Sequence, residues 1–419
     1  MDILFVHQNF PAQFVHVARA LSRTPGVRVA VVTDASNENA DFLPTAKYRW
    51  DAKKAGSPDR VSQNFALRAA RGRMAARAMA AVRKRGFDPA VVIGHLGWGE
   101  TLFVKDVFPK AKLIVHAEFY YSSTGADVGF DPEFPEARAL DRLVELRAKN
   151  AAILSAMNEA DIAVAPTRWQ ASRFPRAFQS KMTIVHEGID TNAIRPSLNA
   201  EFRIPGSGIV LRPGDEVITF VNRNLEPYRG YHIFMRALPA MLAARPNARV
   251  VIVGGDGVSY GATPDGGRSW RNIFLAEVAA RLPMERVHFV SRIPFSDFVS
   301  LMQISLAHVY LTYPFVLSWS MLQAMSAGAP LIASRTAPVL EAVEDGVNGV
   351  LVDFFDVEGL AARVIDALAR PDKNRAMRES ARRSVIEKYD LASLCLPRWM
   401  EVVGLARKNS VTNELALQS

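Results

Sequence analysis

The sequence predicts an α/β protein with two parallel sheets, because short apolar runs alternate with longer helical patterns in two successive sets. The first set lies at residues 3–7, 27–33, 90–95, 112–118 and 161–166, and the second at 217–223, 248–255, 287–292, 307–313 and 330–334. Most of these runs are rich in Val and Ile, as a strand that is covered on both faces requires. Strands that are separated by helices indicate βαβ units and therefore parallel sheets.

The segment between the two sets, residues 195–216, predicts a linker between two domains. It is rich in Pro and Gly and has no periodicity. We therefore expect a first Rossmann-like domain at 1–200, a second at 207–385, and a C-terminal helical segment at 386–419 that packs back on the first domain. Two open sheets that face each other would place the carboxyl ends of their strands, where such sheets bind ligands, around one cleft.

Composition narrows the class of protein. The chain has 419 residues, and the 49% that are hydrophobic suffice for sizeable cores. No apolar run approaches the ~20 residues of a membrane-spanning helix, and the apolar run in "MDILFVHQNF" is too short for a secretory signal. The single cysteine, Cys395, excludes an internal disulfide and a cysteine-cluster metal site. We expect a cytoplasmic protein, with the inner face of the membrane as a second location.

The positive charge is concentrated in the first half of the chain. The net charge is +9, and residues 1–205 hold 28 of the 51 Lys and Arg residues but 21 of the 42 Asp and Glu residues. This bias favours an anionic partner such as phosphate groups, an anionic membrane or nucleic acid. The sequence has no zinc-finger spacing, RNA-binding aromatic signature or repeat, so we expect no nucleic-acid partner.

Two segments leave alternatives open. Residues 60–88 hold eight basic residues and no acid before Asp88. They predict either a core helix with a solvated basic face or a contact with an anionic membrane or a lipid-phosphate acceptor. Residues 118–137 hold five acids, no base and five aromatics. They predict either a structured acidic loop or an acceptor-binding segment.

Dinucleotide and P-loop sites are not supported by the sequence. The turn after the first predicted strand, "VHQNFPAQF", contains no glycine, so the G-x-G-x-x-G fingerprint is missing. The glycines of "VGGDGVSYG" (253–261) do not have that spacing, and no Walker-type phosphate loop is present.

The second predicted domain carries signals for an anionic ligand. Arg223 ends a predicted strand, and Arg229 follows six residues later beside Gly230. Two guanidinium groups at a strand end can bind a diphosphate, although this spacing alone is a weak signal. A helix is predicted to begin near Ser318, and its N-terminal N–H groups would favour an anion or sugar hydroxyls.

This set of motifs resembles the retaining, GT-B-fold glycosyltransferases of family four, which transfer a sugar from a nucleotide diphosphate to an acceptor. The resemblance covers nearly the whole chain and is strongest over residues 185–355. The family's arginine and its lysine-glycine pair match Arg223 and Arg229-Gly230. Other matches are Gly188 and Asp190, the turn at 254–257, the helix start at 322–325, Gly328, Glu341 and His116.

The resemblance implies a set of site residues. It makes His116, Arg223 and Arg229 the catalytic candidates. The donor would be a UDP- or GDP-linked sugar and the acceptor a glycan or a lipid-linked group, with no permanent cofactor and no metal. The implied donor-binding residues are Gln8, Asn9, Asn222, Gly230, Gly254, Ser318, Trp319, Ser320, Gln323 and Glu341.

Two positions depart from the family pattern. The family's paired glutamates lie eight residues apart, and here they are Phe315 and Gln323. Gln323 can still accept a hydrogen bond from a ribose hydroxyl, whereas Phe315 cannot. The first loop also lacks the family's double glycine, for which Gln8, Asn9 and Gln13 could substitute. We therefore predict a glycosyltransferase whose sugar-facing half is rebuilt. The alternative is a non-catalytic nucleotide-sugar-binding relative or a partner-dependent subunit.

Overall fold

The computed structural model describes residues 1–39, 42–55, 59–134 and 140–405, and its first half is built around one parallel sheet. The strands cross the sheet in the order β3-β2-β1-β4-β5-β6-β7, and every neighbouring pair is parallel. They lie at Asp2–Val6 (β1), Arg28–Asp34 (β2), Thr45–Tyr48 (β3), Val91–His95 (β4), Lys112–His116 (β5), Ile162–Ala165 (β6) and Met182–Ile184 (β7).

A second parallel sheet forms the other half of the molecule. A short antiparallel hairpin, Phe202–Arg203 (β8) and Val210–Leu211 (β9), precedes it. The strands of this sheet have the order β12-β11-β10-β13-β14-β15. They lie at Val217–Asn224 (β10), Arg249–Gly255 (β11), Val287–Val290 (β12), Ala307–Tyr310 (β13), Leu331–Ser334 (β14) and Val350–Val352 (β15).

Helices cover both sheets. Those of the first half are Val15–Ser22 (α1), Ala52–Ala55 (α2), Arg60–Lys84 (α3), Val104–Val107 (α4), Leu140–Glu159 (α5) and Arg168–Ser172 (α6). Those of the second half are Tyr231–Ala244 (α7), Trp270–Val278 (α8), Phe295–Ile304 (α9), Trp319–Ala327 (α10), Ala337–Leu340 (α11), Val357–Ala369 (α12) and Asn374–Tyr389 (α13). The last described helix, Leu396–Val403 (α14), returns to the first half. No described helix combines the length and apolar character needed to cross a bilayer.

Each sheet is buried on both faces, which explains the continuous apolar runs. In β1, Ile3 and Phe5 belong to one core cluster and Leu4 and Val6 to another, and all four side chains are fully buried. The second sheet also separates two clusters. Helices on both faces of a parallel sheet produce this pattern, so the predicted α/β class with two parallel sheets is confirmed.

The chain between the sheets and the chain at the end both pack against a core. Phe202, Ile204 and Leu211 of the β8–β9 hairpin are buried in a core cluster of the second sheet. The predicted linker therefore contains a β-hairpin that packs on the second half. At the other end, Trp399 of α14 packs edge-on against Phe14 beside α1, with 6.5 Å between the ring centroids. The last described helix therefore covers the first sheet.

Candidate active site

A cavity of about 510 Å³ opens at the carboxyl ends of the second sheet's strands. This is the edge at which open α/β sheets bind ligands. Six of the residues that the sequence analysis selected line it. They are Asn222, Arg223, Arg229, Ser318, Ser320 and Gln323.

Arg229 is aimed into the cavity by a tight turn after β10. The turn Pro227–Arg229 ends at Gly230, which has a positive φ of 67°. A Cβ at Gly230 would lie 2.3 Å from Leu311 Cβ, so only glycine fits there. The buried Arg229 guanidinium donates from Nη1 to Thr312 Oγ1 at 2.7 Å and to the Val316 carbonyl at 3.3 Å. These bonds fix the direction of the positive charge.

Two further arginines present free guanidinium groups to the cavity. Arg223 and Arg292 are exposed and line it. Neither has a hydrogen-bond or ion-pair partner among residues 1–39, 42–55, 59–134 and 140–405. Arg292 was not among the residues predicted from the sequence. It could have been selected because it lies two residues after β12, at the carboxyl end of a parallel strand.

The N-terminus of α10 also lines the cavity. Ser318 is the N-cap residue, and its Oγ accepts from the Ser320 N–H at 3.3 Å, which confirms the predicted start of the helix. The positive end of the helix dipole therefore adds to the charge of the arginines. Gln323, one turn further, lines the cavity, and its side-chain amide has no hydrogen-bond partner within the described residues.

A buried glutamate that the sequence analysis missed shapes the cavity wall. Glu226 is 0% exposed, and its carboxylate accepts from the backbone N–H groups of Ser259, Tyr260 and Gly261 at 3.1–3.2 Å. These bonds hold the Tyr260 ring 5.1 Å from the Arg229 guanidinium carbon. The only sequence signal was an acid between two arginines, because its partners lie more than thirty residues further along the chain.

Two of the residues predicted from the sequence, Glu341 and Trp319, do not line the cavity. Their side chains instead connect the two halves of the molecule. Glu341 accepts from the backbone N–H groups of Arg168 and Trp169 at 2.7 and 2.8 Å, and so caps α6. Trp319 donates from Nε1 to Glu187 Oε2 at 3.1 Å. Both side chains thus tie the first sheet's helices and loops to those of the second.

Gly254, Gln8 and Asn9 are not among the residues that line the cavity. Gly254 lets β11 approach its neighbour, because a Cβ there would lie 2.6 Å from Leu225 Cδ2. Gln8 and Asn9 follow β1 at the carboxyl edge of the first sheet, where the Asn9 N–H donates to His7 Nδ1 at 3.0 Å. The structure does not bring their side chains to the arginines.

His116 forms a buried pair with a glutamate. Its Nε2 lies 2.6 Å from Glu187 Oε1, and both side chains are almost fully buried. Burial alone would raise the pKa of Glu187, but the hydrogen bond with His116 and the charges of His186 and His116 lower it to about 2. Burial would likewise lower the pKa of His116, but Glu187 raises it. Glu187 is therefore a carboxylate at neutral pH, and its charge favours the imidazolium form of His116.

Two protein-family models match the chain in succession. The first is described as "Glycosyl transferase family 4 group" and matches residues 25–194. The second is described as "Glycosyl transferases group 1" and matches residues 208–384. The chain belongs to glycosyltransferase family 4. Membership makes this chain part of a retaining hexosyltransferase family that uses nucleotide-sugar donors.

Curated relatives of this family 4 chain are similar over about half of its length. The D-inositol 3-phosphate glycosyltransferase of Mycobacterium marinum is 30% identical over 51% of this chain and 43% of the relative. The GDP-mannose-dependent alpha-(1-6)-phosphatidylinositol monomannoside mannosyltransferase of Mycolicibacterium smegmatis is 27% identical over 55% of this chain and 59% of the relative. The matched part of the chain thus spans less than two thirds of these relatives.

Solved structures establish the fold. Anabaena Alr3699/HepE in complex with UDP superposes with a TM-score of 0.66 at 17% identity, over 96% of this chain and 100% of that one. Sucrose-phosphate synthase from Thermosynechococcus elongatus gives 0.69 at 17% identity, over 97% of this chain and 99% of that one. The GT-B fold is therefore shown.

An apolar wall surrounds Phe315, the residue that the sequence resemblance aligned with one of the family's glutamates. Phe315 is 4% exposed. Its ring centroid lies 4.6 Å from that of Phe119, 4.9 Å from Tyr260 and 5.7 Å from Tyr228. Since Phe119 follows β5 of the first sheet, this wall joins the two halves of the molecule.

The acidic aromatic segment docks on the second half. Tyr228 donates to Asp127 Oδ2 at 2.7 Å, Tyr313 to Asp131 Oδ2 at 2.6 Å, and Arg236 to both oxygens of Glu133 at 2.7 and 2.8 Å. These contacts favour the structured-loop interpretation for residues 118–134. The end of the predicted segment, 135–137, lies outside the described residues.

The same segment contains a group with the residue types of a cation site. Ligand atoms of Asp131, Glu133 and His232 lie within 4.8 Å of one another. However, Arg236 binds both oxygens of Glu133, and Tyr313 donates to Asp131. Because an arginine already neutralises this group, it is better described as part of the contact between the two halves.

Proposed function

We propose that this chain is a glycosyltransferase that moves a sugar, with retention of configuration, from a nucleotide-diphosphate sugar to a glycan or lipid-linked acceptor. The observation that carries the proposal is the cavity at the carboxyl edge of the second sheet. Arg223, Arg229 and Arg292 line it together with the N-terminus of α10. Three cations and a helix N-terminus around one cavity suit a diphosphate group.

The chemistry of transfer explains this arrangement. The leaving group is a nucleoside diphosphate, and negative charge grows on its phosphate oxygens as the bond to the sugar breaks. Groups that are fixed before the reaction stabilise this charge best, because they need no reorganisation. Arg229 is fixed by its bonds to Thr312 and Val316. We assign Arg229 and Arg223 to the diphosphate and Gln323 to the ribose.

Two classes of donor, UDP-linked and GDP-linked sugars, and two classes of acceptor fit this proposal. A similar structure contains UDP, and a curated relative is named as GDP-mannose-dependent. That relative's name also includes a phosphatidylinositol mannoside, which supports a lipid-linked acceptor for this chain. A glycan acceptor is the other candidate. His116 is proposed to contact the transferred sugar, because its pair with Glu187 adjoins Trp319 at the start of α10.

The proposal is tested by calorimetric titration with UDP, GDP, uridine and guanosine. We expect one diphosphate to bind at least about ten-fold more tightly than its nucleoside, since each charged contact contributes about 1.5–3 kcal/mol. The double variant Arg223→Ala/Arg292→Ala should remove most of this difference. Arg203→Ala, which removes an exposed arginine from the β8–β9 hairpin, is the control. Equal affinity for a diphosphate and its nucleoside would contradict the proposal.

One observation favours a second candidate function. Phe315 occupies a position at which the family usually has a glutamate, and it is buried among aromatic rings. A chain that binds a nucleotide sugar without transferring it, or that needs a partner subunit, would tolerate this loss of a polar group. The two candidates differ in turnover and not in nucleotide affinity.

We also propose the anionic inner face of the membrane as the place where a lipid-linked acceptor is met. The structure distinguishes two sets of arginines on α3. Arg68 and Arg83 donate to backbone carbonyls of Gly97 and Val107 at 2.8 and 2.7 Å. Arg73, Arg77, Lys84 and, just after the helix, Arg85 are exposed and donate to no carbonyl or carboxylate among the described residues, so they could meet lipid headgroups.

A further inference from the structure

The donor cavity has a direction, because different residues line its two ends. Phe295 and Phe298 line it at the start of α9, and their ring centroids lie 6.1 Å apart. Phe295 is 56% exposed and presents a flat apolar face on which a nucleobase can stack. Helix α9 packs against α10, which carries Gln323. With Gln323 assigned to the ribose and Arg229 to the diphosphate, the donor would run from α9 towards Arg229.

An aromatic ring lies at the Arg229 end of the cavity. Tyr260 lines the cavity and is 37% exposed, and its ring centroid lies 5.1 Å from the Arg229 guanidinium carbon. The donor sugar is attached to the phosphate that is farther from the ribose. A donor that runs from α9 towards Arg229 would therefore bring its sugar to the Tyr260 ring.

The Tyr260 ring is held in place from two sides. The backbone N–H groups of residues 259–261 all donate to the buried Glu226 carboxylate at 3.1–3.2 Å. The ring also packs on Phe315 and Tyr228, with centroid separations of 4.9 and 6.1 Å. We call Tyr260, Phe315 and Tyr228 the aromatic wall. Because Phe315 is buried behind it, Tyr260 offers a fixed apolar surface to the cavity.

The polar groups beside the aromatic wall are already engaged with one another. Among the described residues that line the cavity, Glu226 is the only acid, and its two oxygens accept the three backbone N–H groups. Tyr228 OH donates to Asp127 Oδ2 at 2.7 Å, and Asn224 Nδ2 donates to Ser259 Oγ at 2.8 Å. A sugar hydroxyl that faces the wall would lose water and find few partners, whereas a methyl group would lose nothing.

We propose that Tyr260 determines which donor sugar this chain prefers, and that it favours a hexose that presents a methyl group to the aromatic wall. This methyl group is either C6 of a 6-deoxyhexose or the acetyl methyl of an N-acetylhexosamine. The inference deepens the proposed function and rests on it for the position of the diphosphate. It concerns the sugar that is bound, so it applies equally to a chain that binds a donor without transferring the sugar.

The test is calorimetric titration of the full chain with donors that differ in one group. GDP-mannose is compared with its 6-deoxy counterpart, GDP-D-rhamnose. UDP-glucose is compared with UDP-6-deoxyglucose and with UDP-N-acetylglucosamine. For the nucleotide that the chain binds, we expect a methyl-bearing donor to have a Kd at least about five-fold lower than that of its hydroxylated partner. The deoxy and acetyl comparisons distinguish the two sources of the methyl group.

Variants of Tyr260 show whether this ring causes the preference. Tyr260→Ala should bring the two Kd values of a pair within about two-fold of each other. Tyr260→Phe keeps the ring and should retain the preference. Because both donors of a pair carry the same diphosphate, their Kd ratio does not report a change in phosphate binding. Phe42→Ala, which removes an exposed aromatic ring of the first half, is the control and should keep the parent's ratio.

Titration with UDP and GDP alone separates this inference from the proposed function. If neither diphosphate binds, the proposed function fails and the inference fails with it. If a diphosphate binds but the hydroxylated hexoses bind as tightly as the methyl-bearing donors, only the role of Tyr260 is refuted. The same conclusion follows if Tyr260→Ala folds like the parent in urea denaturation and keeps the parent's Kd ratio.

Discussion

Arg229 takes part in both stability and ligand binding. Its Nη1 donates to Thr312 Oγ1, to the Val316 carbonyl and, at 3.3 Å, to Tyr310 OH. Arg229→Ala should therefore weaken nucleoside-diphosphate binding by roughly 1.5–3 kcal/mol, with little effect on the nucleoside. It should also lower the free energy of unfolding by about 1–3 kcal/mol, because buried acceptors lose their donor.

Arg223→Ala separates these two effects. Because Arg223 is exposed and without a partner in the described chain, its loss should weaken diphosphate binding and leave the unfolding curve unchanged. Calorimetry and urea denaturation of both variants measure the two quantities. A uniform loss of nucleoside and diphosphate affinity in Arg229→Ala would show that this side chain does not bind phosphate.

The pair between His116 and Glu187 predicts a dependence of stability on pH. The pKa of Glu187 is about 2 in the folded chain, below its usual 4.5. Such a carboxylate contributes stability above pH 4.5 that is lost as the pH falls towards 2. The raised pKa of His116 has the opposite sign. Its contribution is complete below pH 6.5 and is lost as the pH rises through the raised value.

Glu187→Gln tests this pair. The variant should be less stable than the parent at about pH 6, and the difference should shrink as the pH falls from about 4.5 to about 3. Denaturant unfolding at a series of pH values measures it, with Glu38→Gln as an exposed control. A difference that is independent of pH over that range would mean that Glu187 is not ionised in the folded chain.

Substitutions of Phe315 test whether the sugar-facing half of the site is an altered but active site or one that has lost its catalytic groups. Phe315→Glu would place a carboxylate between Phe119 and Tyr260, so it should lower the free energy of unfolding by about 3 kcal/mol or more. Phe315→Leu keeps an apolar side chain there and should cost about 1 kcal/mol. If Phe315→Glu has the parent's stability and gains transfer activity, the decayed-enzyme interpretation is the better one.

At the scale of elements, α3 is the helix that we propose to contact an anionic membrane. Vesicle co-sedimentation should require anionic lipid and should weaken with salt, since screening limits charge interactions to about 8 Å at physiological ionic strength. Changing Arg73, Arg77, Lys84 and Arg85 to Gln should abolish it. The control changes four exposed basic residues of the second half, Arg203, Arg281, Arg383 and Lys388. Binding that survives high salt, or no binding to anionic vesicles, would make α3 an ordinary surface helix.

The elements that could be predicted from sequence are those with long apolar runs or clear caps. Strands such as β10 and β11 have continuous apolar runs, and α10 begins where Ser318 caps it. Five strands lie outside the predicted runs. The strands β3, β7 and β15 lie at sheet edges and have only three or four residues each. The strands β8 and β9 have two residues each in a Pro- and Gly-rich segment. These strands form because they pair with segments that are distant in sequence, and the local sequence carries no signal for that pairing.

The same limit applies to the candidate site. Arg223, Arg229 and Ser318 could be selected because strand ends and helix caps have local signatures. Glu226 acts through N–H groups of residues 259–261, more than thirty residues further along the chain. Glu341 was selected for the donor, but its carboxylate caps α6 in the other half of the chain. Contacts of this kind exist only once the chain has folded.

At the scale of the whole molecule, the two sheets present their carboxyl edges to one cleft, and several contacts hold them together. The segment 118–134 contributes Asp127, Asp131 and Glu133 to the second half, and Phe119 meets Phe315. Tyr260, which lines the donor cavity, also contacts Phe315, so the cavity adjoins these contacts.

Product analysis by ¹H NMR is the measurement that tests this account most directly. The chain is incubated with UDP- and GDP-linked hexoses in the presence of methyl glycosides or phosphatidylinositol vesicles. The account predicts release of the nucleoside diphosphate together with a glycoside whose anomeric configuration matches that of the donor, and loss of both in Arg229→Ala. Tight nucleotide binding with neither transfer nor donor hydrolysis above background, or a product of inverted configuration, would contradict it.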